Sequence, residues 1–138
     1  MPYKSKTQPN LFLFILIVLC LAAGLADGQT VYDDSSRRIG GFSGDRVYDG
    51  TGQRIGSLKG DRVYDGMGNR IGHLNGDRVY DGKGQRIGHI NGTRLYDGMG
   101  RRIGQISGDK IYDGSGRRIL RMDGLQPREG VVFFYFFR

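Results

Sequence analysis

From Tyr32 onward the chain alternates short apolar clusters with turn-forming residues on a fixed period. Tyrosines fall at 32, 48, 64, 80, 96 and 112, a spacing of 16. Aligned on them, the chain reads Gly-Asp-Arg-Val-Tyr-Asp-Gly-x-Gly-x-Arg-Ile-Gly-x-(Ile/Leu)-x. A period of this kind marks a repeat architecture in which each unit is one supersecondary element. Each unit holds two strand-like runs, such as Arg62 to Asp65 and Arg70 to Leu74. Val, Ile and Tyr suit a pleated, half-buried surface. No segment after the first 28 residues sustains a 3.6-residue apolar period, which predicts no helix there.

Glycine positions predict two kinds of turn. Between units stand Ser43-Gly44, Lys59-Gly60, Asn75-Gly76, Asn91-Gly92 and Ser107-Gly108, and Asp123-Gly124 follows the last unit. Asn-Gly and Asp-Gly are favoured two-residue hairpin loops of type I′. If Asn75-Gly76 is such a loop, Ile71 faces Tyr80, Gly72 faces Val79, and Arg70 faces Asp81 as a cross-strand ion pair. That pair recurs as Arg54–Asp65 and Arg86–Asp97. The second turn, Asp-Gly-x-Gly, fits a three-residue loop ending in a left-handed glycine.

The ends depart from the repeat. Asp34-Ser35-Ser36 replaces Gly-x-Gly in the first unit, and Leu120 replaces the glycine found at 56, 72, 88 and 104 in the last. Atypical end units are expected where a repeat array must be capped. After Pro127, Val131 to Phe137 is an apolar, mostly aromatic run. It predicts a buried closing strand, needed to cover the core and to pair the free edge near Val31-Tyr32.

The iterated Val-Tyr-Asp-x-x-Gly-x-Arg-Ile-Gly units, together with the Val-Val-Phe-Phe-Tyr-Phe-Phe end, resemble the five-fold β-flower family of secreted bacterial repeat proteins. The resemblance covers residues 29–138, with repeat units over about 29–124 and a closing segment over 125–138. It implies an all-β, pseudo-symmetric repeat of short β-hairpins arranged radially, which the aromatic C-terminal strand would close. Whether five or six hairpins form the ring stays open at this point. The resemblance implies no activity.

Composition adds a leader and removes several chemistries. Lys4 and Lys6 precede an apolar run, Leu11 to Ala23, and small residues follow at Gly24-Leu25-Ala26 or Ala26-Asp27-Gly28. That order is the layout of a secretory signal peptide over residues 1–28. A retained membrane anchor is the rival reading, but the run is shorter than the ~20 residues a spanning helix needs. Export to the periplasm or the exterior is therefore expected, with cleavage between Asp27 and Gln29. Cleavage there removes the single cysteine, Cys20, and with it disulfides, thiol nucleophiles and Cys-ligated metals. The whole chain carries a formal charge of +7. That charge could favour an anionic surface, and could equally be a solvated repeat pattern.

No residue set reads as a catalytic centre, because a regular repeat offers the same side chains several times rather than residues in distinct roles. Calcium would draw on Asp61, Asp65 and their equivalents, but it needs six to eight oxygens and each Asp-Gly-x-Gly turn is followed by an arginine. His73 and His89 are 16 residues apart and lack a third ligand. Recurrent Arg and Tyr resemble a single-strand stacking platform, yet an aspartate flanks each tyrosine and dilutes any phosphate track. The expectation is thus no enzyme, no cofactor, no metal, no nucleic acid and an unidentified partner, such as an envelope component or glycan. The candidate ligand surface is Arg54, Tyr64, Arg70, Tyr80, Arg86 and Tyr96. Two classes remain: a structural or assembly protein, and a module binding a glycan or anionic surface. Thr51, Met67, Lys83, Met99 and Ser115 in one turn, and Ser57, His73, His89 and Gln105 near the other, differ between units, which tilts the reading towards a scaffold.

Overall fold

The computed structural model describes residues 29–138, so the leader expected over 1–28 lies outside the described residues. Twelve antiparallel strands close into a barrel. They are β1 (Thr30–Tyr32), β2 (Arg38–Ser43), β3 (Arg46–Asp49), β4 (Arg54–Lys59), β5 (Arg62–Asp65) and β6 (Arg70–Asn75), then β7 (Arg78–Asp81), β8 (Arg86–Asn91), β9 (Arg94–Asp97), β10 (Arg102–Ser107), β11 (Lys110–Asp113) and β12 (Arg118–Asp123). Each strand pairs with its neighbours in sequence, and β1 pairs with β12 to close the ring. Five hairpins are continuous in the chain, and the two ends meet as a sixth strand pair. The first strand's edge is therefore covered by β12, through Val31 opposite Met122, and not by the aromatic tail.

The inter-unit turns set a register different from the expected one. Asn75 pairs with Arg78, Leu74 with Val79, His73 with Tyr80 and Gly72 with Asp81. The two loop residues are Gly76 and Asp77, not Asn75 and Gly76. Gly76 has φ +61°, and among the described residues Ser36 is the one non-glycine at positive φ. Positive φ at the first loop position alone is the type II′ hairpin, which demands glycine there. Sliding the pairing by two residues leaves each side chain on its expected face and changes its neighbour. Tyr80 loses Ile71 and gains His73, and Asp81 loses Arg70 and gains Gly72.

The Asp-Gly-x-Gly turns are the expected three-residue loops. The Gly68 N–H donates to the Asp65 carbonyl at 3.1 Å, and the Asp65 N–H donates to the Asn69 carbonyl at 2.8 Å. Gly68 sits at φ +90°. In the first unit Ser36 takes the same place at φ +64°, so that variant sequence keeps the same turn.

Inward positions form the core. Val31, Val47, Val63, Val79, Leu95 and Ile111, one from each unit, are all fully buried. The aromatic tail fills the lumen, and it does so as helix rather than strand. A helix, α1 (Pro127–Val132), leads into one wide π turn over Phe133–Phe137. The Gln126 N–H donates to the Glu129 carboxylate at 2.9 Å, and the Arg138 N–H closes the π turn on the Phe133 carbonyl at 2.9 Å. Both the expected closing strand and the expected absence of helix are thus corrected. The cause is backbone hydrogen bonding. A closed barrel has no free strand edge inside it, so a chain entering the lumen must satisfy its own N–H and C=O groups, as a helix does.

The π turn matches the glycines one for one. A Cβ built at Gly40, Gly56, Gly72, Gly88 or Gly104 would run into the ring of Phe133, Phe137, Phe136, Tyr135 or Phe134, respectively. Five successive residues exceed one 3.6-residue α turn. The wider i→i+5 turn spreads them around the axis so that each meets a different wall. The sixth equivalent position is Leu120, 1% exposed, which fills from the wall the sector that no plug ring reaches. Leu120 is therefore a core residue of a closed ring, and the array has no end to cap.

Candidate ligand surface

With the lumen filled, the outer wall is the surface this protein offers, and the strand pairings set its pattern. Across one side of each first strand, tyrosine meets arginine: Tyr48 faces Arg54, Tyr64 faces Arg70, Tyr80 faces Arg86 and Tyr96 faces Arg102. Of the six expected site residues, Tyr64–Arg70 and Tyr80–Arg86 become direct cross-strand neighbours. Arg54 and Tyr96 pair instead with Tyr48 and Arg102. The six are spread around the girdle in successive sectors and do not converge on one point. The tyrosines are half-buried, while Arg54, Arg70 and Arg86 are exposed.

Across its other side each tyrosine meets a residue that varies. Gly41 faces Tyr48, Ser57 faces Tyr64, His73 faces Tyr80, His89 faces Tyr96 and Gln105 faces Tyr112. The imidazoles stack flat on their tyrosines, with His73–Tyr80 centroids 4.8 Å apart and His89–Tyr96 centroids 4.6 Å apart. Each histidine keeps its Nδ1 buried without a hydrogen-bond partner. Elsewhere cations approach the tyrosine rings. The Arg121 guanidinium lies 4.2 Å from the Tyr32 ring centre, and Lys59 Nζ lies 5.9 Å from that of Tyr64. Sequence reading found these variable positions and missed that they face the tyrosines, because the register slid by one turn position.

The expected ion pairs between these arginines and the turn aspartates do not form. The aspartates belong to their own loops. Asp81 Oδ1 accepts the N–H groups of Lys83 and Gln85, each at 2.9 Å, and the other units repeat this geometry, as at Asp65 with Met67 and Asn69. At Asp49, Asp65, Asp97 and Asp113 such bonds favour the ionised carboxylate. The Thr51 hydroxyl chiefly lowers the Asp49 pKa, the Asn69 N–H that of Asp65, the Arg101 N–H that of Asp97 and the Ser115 hydroxyl that of Asp113. The ion pairs present lie elsewhere: Arg101–Asp97 at 3.0 Å, Lys110–Asp109 at 3.3 Å, Arg121–Asp123 at 3.7 Å, and Arg128–Asp61, which ties the start of α1 to the β4–β5 turn.

Among the described residues, no three His, Cys, Asp or Glu side chains cluster as a metal site, and no helix is long and apolar enough to cross a membrane. Inside the barrel one plug residue carries a polar atom. The Tyr135 hydroxyl donates to the Tyr96 carbonyl at 2.7 Å. Burial, with Asp97 nearby, pushes its pKa up to about 12.

Compared with known proteins, residues 28–138 match the family described as 5-fold beta-flower protein. No curated protein and no solved structure matches the chain.

Proposed function

This chain belongs to the 5-fold beta-flower protein family, and from that premise we propose that it is an exported, non-catalytic structural protein of the cell envelope. In this reading the hairpins act as petals set around the plug, and the outer girdle is what they present to a partner. One observation carries it: the aromatic turn occupies the lumen, with Phe133 and Phe134 1% and 4% exposed. The interior serves as packed core, in contrast to small barrels that enclose a ligand. The turn carboxylates favour the same reading, since Oδ1 of each already accepts two N–H groups of its own loop. Fractionation of cells expressing a C-terminally tagged chain, with mass analysis of the mature protein, tests it. The expected result is a chain beginning between Asp27 and Gln29 that co-fractionates with the envelope. A cytosolic protein retaining Met1 would refute it.

A second reading is a module that binds a glycan or an anionic surface. It is favoured by the lateral Tyr–Arg pairs, which repeat an apolar face beside a fork of donors. A glycan-array screen of the mature chain separates the two: the scaffold expects no selective binding, and the module expects binding that falls when Arg54, Arg70 and Arg86 are replaced together.

A further inference from the structure

The girdle is not uniform, and one sector gathers three cations beside a single carboxylate, Asp45. Between β3 and β5 a surface cleft is lined by Asp45, Arg46, Arg54, Ser57 and Lys59. Arg46 faces Ser57 across the β3–β4 pairing, and Lys59 lies two residues along the same strand, on the same face. Ser57 is the small residue between two long ones, Arg46 on one side and Tyr64 on the other. It is 3% exposed and forms the floor of the cleft. Among the described residues, Arg46, Arg54 and Lys59 enter no ion pair. Lys59 has only the ring of Tyr64, near the ~6 Å limit at which a cation still feels the π face.

The next sector supplies an internal comparison. Its cleft is lined by Asp61, Arg62, Arg70, His73, Leu74 and Asn75, the same positions one repeat later. There an imidazole stacked on Tyr80 replaces the serine, asparagine replaces the lysine, and the aspartate is already paired with Arg128. The Ser57 cleft is the smaller of the two and has three lining cations against two, a third cation beside the second cleft, Arg128, being held by Asp61.

Three like charges held around a small polar floor repel one another unless an anion joins them. Two guanidinium forks, an ammonium and a hydroxyl form a donor set suited to a tetrahedral oxyanion. We propose that the cleft between β3 and β5 binds a phosphate or sulfate group. Arg46 and Arg54 supply the forks, Lys59 the point charge and Ser57 a hydroxyl donor. Asp45 on the rim offsets one of the three charges and tunes the site towards weak, reversible binding. The proposal goes beyond the scaffold reading, whose fractionation test is independent of it.

Backbone amide NMR of the mature chain, titrated with inorganic phosphate, sulfate and chloride at constant ionic strength, tests it. The expected result is saturable shifts at Arg46, Ser57 and Lys59 with phosphate or sulfate, none with chloride, and little change at Arg62, His73 and Asn75. Lys59→Asn should weaken binding roughly tenfold, the size of one lost charge-assisted hydrogen bond. Ser57→His with Lys59→Asn should abolish it. Both variants reproduce side chains that the same fold carries one repeat later, so folding is retained and a melt checks it. A sulfated or phosphorylated monosaccharide that binds more tightly than the free anion would identify a glycan source, and equal binding would identify the free anion. Equal shifts in both sectors, no shift with either anion, or binding untouched by Lys59→Asn would overturn the proposal.

Discussion

Replacing Phe133 with alanine isolates what the plug contributes. Phe133 is 1% exposed, and its ring fills the notch at Gly40. Phe→Ala in a close-packed core costs ~3–5 kcal/mol, combining lost transfer energy with the cavity left behind. Phe136 and Phe137 are only half-buried, so the same change there should cost less. Deleting residues 131–138 removes four fully buried side chains, Val131, Val132, Phe133 and Phe134. At ~1.5–3 kcal/mol each, that is about 6–12 kcal/mol, an upper estimate comparable with the ~5–15 kcal/mol net stability of a whole domain. The truncated chain should therefore fail to fold. The mirror experiment, Gly72→Ala, adds a methyl where the Phe136 ring already lies, and overpacking of this kind costs ~1–3 kcal/mol. Urea denaturation followed by circular dichroism reads each change as a shift in midpoint at constant slope. If Phe133→Ala costs under ~1 kcal/mol, or if the truncated chain melts like the parent, the plug is not core and the reasoning fails.

Three further outcomes follow from the turns and the plug. Asp49, Asp65, Asp97 and Asp113 have folded-state pKa values below their ordinary value, so their stabilisation is complete above the unfolded carboxylate range near ~3.9 and is lost as pH falls through the lower folded values. Melting temperature should drop over that acid window, and Asp65→Ala should flatten part of the drop. Tyr135 runs the other way: with its pKa raised to about 12, its contribution is complete below the unfolded ~10 and lost as pH rises towards 12, an alkaline loss that Tyr135→Phe should remove from a pH-resolved melt. Millimolar calcium or chelator should leave the melting temperature unchanged, because a ligand that binds the folded state must raise it and the turn carboxylates already accept backbone N–H groups; a rise of several degrees would refute this.

Much of the wall was legible in the chain, and the lumen was not. The period on Tyr32 to Tyr112 located every strand, and the glycines at 68 and its equivalents located the three-residue turns. The register slipped because Asn-Gly and Gly-Asp both occur in Asn75-Gly76-Asp77, and each matches a hairpin loop. Only the sign of φ at the residue before the glycine separates them, since a type I′ loop needs it positive and Asn75 is not at positive φ. The tail was misread because Val, Phe and Tyr favour strands where a strand has an edge to join, and the closed ring leaves none. Two signals pointed the other way. Pro127 with Glu129 two residues later is a helix start, and five aromatic residues, 133 to 137, answer five glycines set 16 apart. The candidate surface was legible by residue type but not by neighbour, since the partner of each tyrosine depends on the register.

The β1–β12 seam has a consequence for how the ring can assemble. Eleven of its twelve strand pairings join neighbours in sequence, and one spans the chain. Local pairings form quickly because little loop entropy is lost. The row of hairpins can therefore grow as an open, curved ribbon from either end or from the middle. Closure and plugging both draw on the last twenty or so residues of the chain, since β12 supplies the seam and the aromatic turn follows within a short loop. Until those residues arrive, the ribbon exposes two bare edges and an empty apolar trough. The seam is also a cut already made in the ring. New termini placed at any type II′ loop would keep every strand pairing only if the linker ran from Arg138 to Gln29, because a join at Gly124 would leave out the plug.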